Sequence, residues 1–187
     1  MIKKNITIEF NLGQVCNDIL TKCNAISKTI TDDALADIKA DVATPDGEET
    51  RSMVNRAITE AWGNVKIAAQ RYLLSGRTTD NNNLERLVHT KDGSTIDTGS
   101  GTIDLDNYIF EVLKLELAIP NFNVAVTDGL KSHVHRYLVD YTVGSFLMDL
   151  QPDKSTAYLG LAQGDIDAVR HDLAARDTFV NRRPSFT

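Results

Sequence analysis

The sequence predicts a mainly α fold: a helical bundle with a small inserted antiparallel β-sheet or hairpin and an extended C-terminal arm. Three observations predict it. Apolar residues recur at spacings of three and four along both halves of the chain, the signature of amphipathic helices. Between them, residues 77–122 change to alternation broken by Gly, Asn, Asp and Ser, the signature of strands and turns. Finally, residues 176–187 combine three arginines, two phenylalanines and a proline with no periodicity.

At 187 residues the chain suits one domain, and a domain of this size buries roughly 70% of the surface its unfolded chain exposes. No disulfide or metal staple is needed to hold such a core. The organisation expected within residues 1–187 is an N-terminal strand and helices (1–76), an inserted β region (77–122), a helical hairpin (123–175) and a C-terminal arm (176–187). A net charge of −6 argues against a general nucleic-acid binder, which neutralises phosphates with clustered Lys and Arg. Local contacts with DNA stay open. Lys3 and Lys4 are not followed by a continuous apolar run, so a secretory signal is not expected, and no stretch approaches the roughly 20 apolar residues of a membrane span. Synthesis in the cytoplasm is the expectation.

Ile6, Ile8 and Phe10 alternate with Thr7 and Glu9, the period of a short half-buried strand over residues 5–10. This strand needs a partner, either in the same subunit, the version favoured here, or at a neighbour's sheet edge. Val15, Ile19, Cys23, Ile26 and Ile30 then mark a helix starting near Leu12. Cys16 and Cys23 share a face of it about 10 Å apart, too far to pair, and read as two buried or half-buried thiols. Asp32-Asp33 caps a continuation through Leu35, Ile38 and Val42, which Thr44-Pro45-Asp46-Gly47 ends.

The strongest helix of the first half is expected over Glu48–Leu74, with acids in its first turn and Gly76 closing it. Val54, Ile58, Ala61, Trp62, Val65, Ala69 and Tyr72 form its core stripe. In the inserted region Asp80–Asn83 is a loop. Lys91-Asp92-Gly93-Ser94 is a hairpin turn between Leu87-Val88-His89 and Thr95-Ile96-Asp97, projecting from the body, and Thr98–Gly101 is a further turn. Residues 109–117 alternate as a long strand, although period alone leaves a helix open.

A long helix follows over Val126–Leu150, capped by Thr127-Asp128, with Leu130, Val134, Leu138, Tyr141 and Met148 as its stripe. After the break at Gln151-Pro152-Asp153, with Pro152 in the first turn, the last helix buries Tyr158, Ala162, Ile166, Val169 and Leu173. These two helices should pack as an antiparallel hairpin.

No catalytic signature emerges. His133 and His135, two apart on a helix, point in different directions; HExxH, Walker A, GxGxxG and GxSxG patterns are all missing, and Gly99-Ser-Gly101 reads as a turn. Asp92, Asp97, Asp104 and Asp106 lack EF-hand spacing and read as a solvated rim. A site assembled from distant residues leaves no local trace, so the enzyme reading is weakened and not removed. The chain is read as non-enzymatic, with no catalytic, cofactor-binding or metal-binding residue assigned.

Charge distribution says more. Residues 32–49 carry seven acids against Lys39, a local net of −6, whereas residues 176–187 carry three arginines against Asp177, a local net of +2. These are either a solvated face and a frayed tail or the two ends of an interaction. In the second case the arm crosses to another subunit, with Phe179, Pro184 and Phe186 as apolar anchors, while Arg182 and Arg183, with Arg176 at the root, engage carboxylates there.

Gly129-Leu-Lys-Ser-His-Val-His-Arg-Tyr-Leu-Val-Asp-Tyr141, the break Gln151-Pro-Asp-Lys-Ser155, the helix with Tyr158 and Ile166, and the ending Arg176–Phe186 together resemble head-to-tail connector proteins of tailed bacteriophages. These are also called adaptor or head-completion proteins. The resemblance covers residues 105–187 and rests on pattern and order. It implies a structural virion protein that forms a homo-oligomeric ring, usually a dodecamer, between portal and the next neck or tail protein. Such a ring lines part of the DNA channel, where DNA passes without specific binding. By position, Arg182, Arg183, Pro184 and Phe186 would be the portal-binding arm and residues 87–98 the projecting hairpin. An acidic balance suits a duct that must pass DNA without holding it. Alternatives are a tail-completion or terminator protein, a non-virion cytoplasmic helical interaction module and, last, an enzyme with a non-local site.

Overall fold

The computed structural model describes residues 3–30, 39–40, 42, 48–78, 96–97, 102–103 and 112–176. Strand β1 (Lys3–Asn11) turns Ile8 and Phe10 inward and leaves Thr7 and Glu9 exposed, as its alternation requires. It pairs within the same chain, antiparallel to β5 (Val112–Pro120), from Lys3 opposite Pro120 to Asn11 opposite Val112. That register sets Ile8 beside Leu115 and Phe10 beside Leu113 on one face, while Glu9 and Lys114 meet at 2.8 Å on the other. The Lys114 ammonium holds the Glu9 carboxyl below its usual range.

Strand β2 (Leu73–Thr78) pairs with the other edge of β5, giving the sheet order β1-β5-β2. This corrects two expectations. The helix α2 (Glu48–Ala69) stops short of Leu74, and Gly76 lies in a strand opposite Leu115 instead of closing a helix. The physical reason is the free edge of β5. Turn-type bonds from Gln70 N–H to Ile67 O and from Tyr72 N–H to Ala69 O end the helix. The Ala118 amide then donates to Tyr72 O and opens the ladder. The main sheet is therefore not confined to the insertion, since the N-terminal strand forms one edge of it.

Within the insertion, β3 (Ile96–Asp97) pairs with β4 (Thr102–Ile103) across residues 98–101. The expected turn at Thr98–Gly101 lies outside the described residues. The other, at Lys91, Asp92, Gly93 and Ser94, lies outside them with Leu87–His89. So do Asp92, Asp104, Asp106, Ile109–Glu111 and most of the acidic stretch 32–49.

Helix α1 (Leu12–Ser27) follows β1 without a linker, because Asn11 ends the strand and caps the helix, its side-chain oxygen accepting from Gln14 N–H at 3.1 Å. Val15, Cys16, Ile19, Cys23 and Ile26 are buried as the stripe predicts. Burial pushes both thiols up to about 12, so they remain protonated at neutral pH. On α2, Val54, Ile58, Ala61, Trp62, Val65 and Ala69 are buried. Trp62 meets Phe10 edge-on with ring centroids 6.1 Å apart, a core role for the tryptophan.

After β5 the chain reverses at Asn121, whose φ of 47° is a left-handed value that asparagine tolerates. A 3-10 turn over Val124–Val126 leads into α3 (Thr127–Phe146). The expected Thr127-Asp128 cap is not formed. Asn123 caps the 3-10 turn instead, accepting from Ala125 N–H, and the Thr127 hydroxyl donates back to Val124 O. Leu130, Val134 and Leu138 are buried and Tyr141 partly so, but Met148 is 54% exposed because the helix ends at Phe146 and Leu147 takes the inward position. Helix α3 packs against α1, α2 and β1 as well as α4 (Pro152–Ala174).

The α3–α4 hairpin has the predicted form, with Pro152 at the start of α4. Ser155 Oγ donates to Gly144 O at 2.7 Å, locking the two helices near their connection. A Cβ at Gly144 would sit 2.8 Å from Leu159 Cγ and 3.1 Å from Leu159 N, so the helices approach too closely for a side chain there. Gly160 and Gly164 have nothing within 4 Å of a built Cβ. The two classes should respond with opposite signs in thermal denaturation. Gly144→Ala is expected to be destabilising, since overpacking of about 1–3 kcal/mol exceeds the helix-propensity gain. Gly160→Ala should stabilise by up to about 1 kcal/mol.

Candidate docking site

The root of the C-terminal arm is fastened to the body. Beyond α4, Ala175 turns extended and its carbonyl accepts from Asn123 N–H at 3.4 Å, while Arg176 bridges antiparallel to Phe122. Arg176 Nη1 donates to Leu173 O at 2.8 Å and Ala175 O at 3.0 Å. Its Nη2 donates to the Tyr72 hydroxyl at 2.6 Å, and the guanidinium lies 5.2 Å over the Tyr72 ring. Planar, five-donor geometry lets one arginine satisfy the last turn of α4 and cover an aromatic face at once. Arg176, assigned to the arm from sequence, is therefore an intramolecular latch in this structure. Phe179, Arg182, Arg183, Pro184 and Phe186 lie outside the described residues.

Tyr72, which holds the latch, also walls a cleft of about 410 Å³ between the end of α2 and the end of α4. Ile67, Leu173 and Ala174 supply apolar lining, and Arg71 and Arg170 supply charge. A second cleft of about 280 Å³ lies between α2, α3 and α4 and shares Ile67 and Arg170 with the first, so the two adjoin. Tyr137 and Tyr141 stand in it with centroids 5.5 Å apart. The Tyr141 hydroxyl donates to Glu60 Oε1 at 2.7 Å, and burial together with that carboxylate pushes the phenol up to about 12. Ile67 is 62% exposed, a large apolar side chain off the buried stripe of α2.

Sequence reasoning missed this cleft. Its one legible sign was Ile67 itself, an isoleucine out of phase with Val65 and Ala69. The arginines could not be placed beside it before the α2–α4 packing was known.

Charged pairs tie α3 to its neighbours. Lys22 Nζ on α1 donates to Asp140 on α3, a carboxylate 6% exposed, and also sits 5.5 Å over the Tyr158 ring of α4. His133 Nδ1 lies 2.8 Å from Asp172 on α4, and His135 Nε2 lies 2.8 Å from Asp18 on α1, the divergent directions their spacing requires. Arg136 reaches Asp165 at 3.0 Å; burial raises the Asp165 carboxyl, and Arg136 opposes that shift. Every histidine in α3 is thus used between helices. Among the described residues no three His, Cys, Asp or Glu gather as a metal site, and no helix is long and apolar enough to cross a membrane.

Family models, curated proteins and solved structures return no match to this chain. The geometry therefore stands alone: a rigid helical body, a latched arm root, and two adjoining clefts beside it. Arginines and an exposed isoleucine suit such a surface for gripping a peptide segment.

Tyr72→Phe deletes only the hydroxyl that Arg176 uses. A hydrogen bond to a charged donor is worth about 1.5–3 kcal/mol, so amides of the α4 end, Ala175 above all, should exchange roughly tenfold faster or more in hydrogen–deuterium exchange, with a melting temperature lowered by about 3–12 °C. Unchanged exchange would show that the latch contributes nothing.

Proposed function

We propose that this chain is a structural, non-enzymatic docking protein of a tailed-bacteriophage virion. In this role it forms a ring between portal and tail that surrounds part of the DNA channel. The observation that carries the reading is the C-terminal order: a hairpin locked at Ser155–Gly144, then the Arg176 latch, then residues 177–187 with Arg182, Arg183, Pro184 and Phe186. A stiff body followed by a tethered segment of arginines and aromatics supplies the two elements of ring docking. The body sets the spacing of neighbours, and the arm adds affinity without reshaping the body. The pattern of residues 105–187 that resembles connector proteins supplies the assignment to a phage neck, with portal protein and neighbouring copies as the partners.

Mixing the full-length chain with portal rings encoded beside it and imaging the product by electron microscopy tests this directly. A symmetric extra layer is expected, lost when Arg182 and Arg183 are replaced by Glu although the variant remains folded by circular dichroism. Absence of a layer with both wild-type proteins folded would overturn the reading.

A further inference from the structure

Two exposed apolar side chains of the helical body sit among charges of opposite sign. Ile67, 62% exposed, borders the cleft between the ends of α2 and α4, where Arg71 and Arg170 are both exposed. None of the described residues lining that cleft is a carboxylate, and no ion pair among the described residues engages Arg71. Arg170 meets Asp167 at 2.6 Å in a solvent-exposed pair, of a kind that exchanges partners at little cost. The Tyr72 ring is already covered by Arg176, so apolar contact falls to Ile67 and the exposed Ala174.

The complementary surface is the connection between α3 and α4. Met148 is 54% exposed, Asp149 follows it and Asp153 opens α4, both of them exposed acids. No ion pair among the described residues engages either acid, and Lys154, next in the chain, is directed to Thr29 beyond the end of α1. The connection is already ordered. Leu147 is buried, and its carbonyl accepts from Leu150 N–H at 3.1 Å and from Gln151 N–H at 2.8 Å. A knob held in this way loses little freedom on binding, and a methionine at its tip adapts to an irregular cleft. Arg170 stands roughly 26 Å further along α4 than Asp153, so a chain cannot place its own connection in its own cleft.

We propose that the cleft receives the α3–α4 connection of a second copy of this chain, with Met148 against Ile67 and Ala174 and with Asp149 and Asp153 facing Arg71 and Arg170. Two arginines on one side then meet two carboxylates on the other, around an apolar contact. Because unlike surfaces meet, a joined pair keeps one open cleft and one open connection. The contact repeats head to tail and closes as a ring where the rotation between copies allows. The inference rests on the reading of this chain as a ring subunit and names the surfaces by which neighbours join.

Photocrosslinking of the full chain from micromolar to millimolar concentration, with p-benzoylphenylalanine in place of Met148, tests it. The expected product is a two-chain adduct that mass spectrometry maps to residues 64–74 and 170–174 of the second copy. Arg71→Glu should lower its yield about fivefold, and adding Asp149→Arg to Arg71→Glu should restore it. No two-chain adduct across that range, adducts that map elsewhere, or a yield indifferent to the charge swap would each overturn the proposal. Arg71 and Asp149 are both exposed, so the variants are expected to fold, and circular dichroism checks that they do. Imaging on portal rings separates the two readings. A layer that forms undiminished with Arg71→Glu would discard this contact and leave the ring standing, whereas the expected adduct without any layer would keep the contact and discard the portal.

Discussion

Pairing of β1 with β5 is the constraint on which the rest of the molecule depends. It joins residues as distant as Lys3 and Pro120, so its closure organises everything between them. Asn11 ends the strand and caps α1 directly, which means that the register of β1 fixes where Ile19, Lys22 and Cys23 arrive. A slip of one residue would turn Ile8 and Phe10 toward solvent and carry Lys22 away from Asp140. Phe10 in turn positions Trp62, so the same register also seats α2.

Helix α3 joins that sheet to the helical body. It follows β5 through the Asn121 reversal and packs against three other helices, carrying a different charged partner toward α1 and α4. Partly exposed pairs such as Arg136–Asp165 contribute about 0–1 kcal/mol each. Lys22–Asp140 differs because its carboxylate is buried and costly to strip of its partner. With the helices so arranged, Tyr72 and Arg176 meet and bring the root of the arm beside the arginine-lined cleft.

Local periodicity made much of this legible. The alternation of Ile6, Ile8 and Phe10, the stripe from Val15 to Ile26, and the break at Pro152 each describe an element whose own sequence carries its signal. Most of the failures share one cause, a partner far along the chain. The helix expected through Leu74 and closed by Gly76 stops at Ala69, and Leu73–Thr78 becomes a strand because β5 offers it an edge from far along the chain. Thr127 and Asp128 look like a cap, but the preceding 3-10 turn moves capping to Asn123. Arg176 reads as the first residue of a free arm because nothing local reveals Tyr72 beneath it. The clefts were illegible for the same reason, since Arg71 and Arg170 approach one another only through helix packing.

Residue-resolved hydrogen exchange of the native chain tests the central claim most directly. If β1–β5 pairing organises the fold, amides that Ile6–Phe10 and Leu113–Ile119 donate to the ladder should exchange together, as slowly as the buried amides of α3, through global unfolding alone. Rapid exchange of the β1 amides, with α1 and α3 still protected, would show that the strand is a peripheral addition and contradict the account.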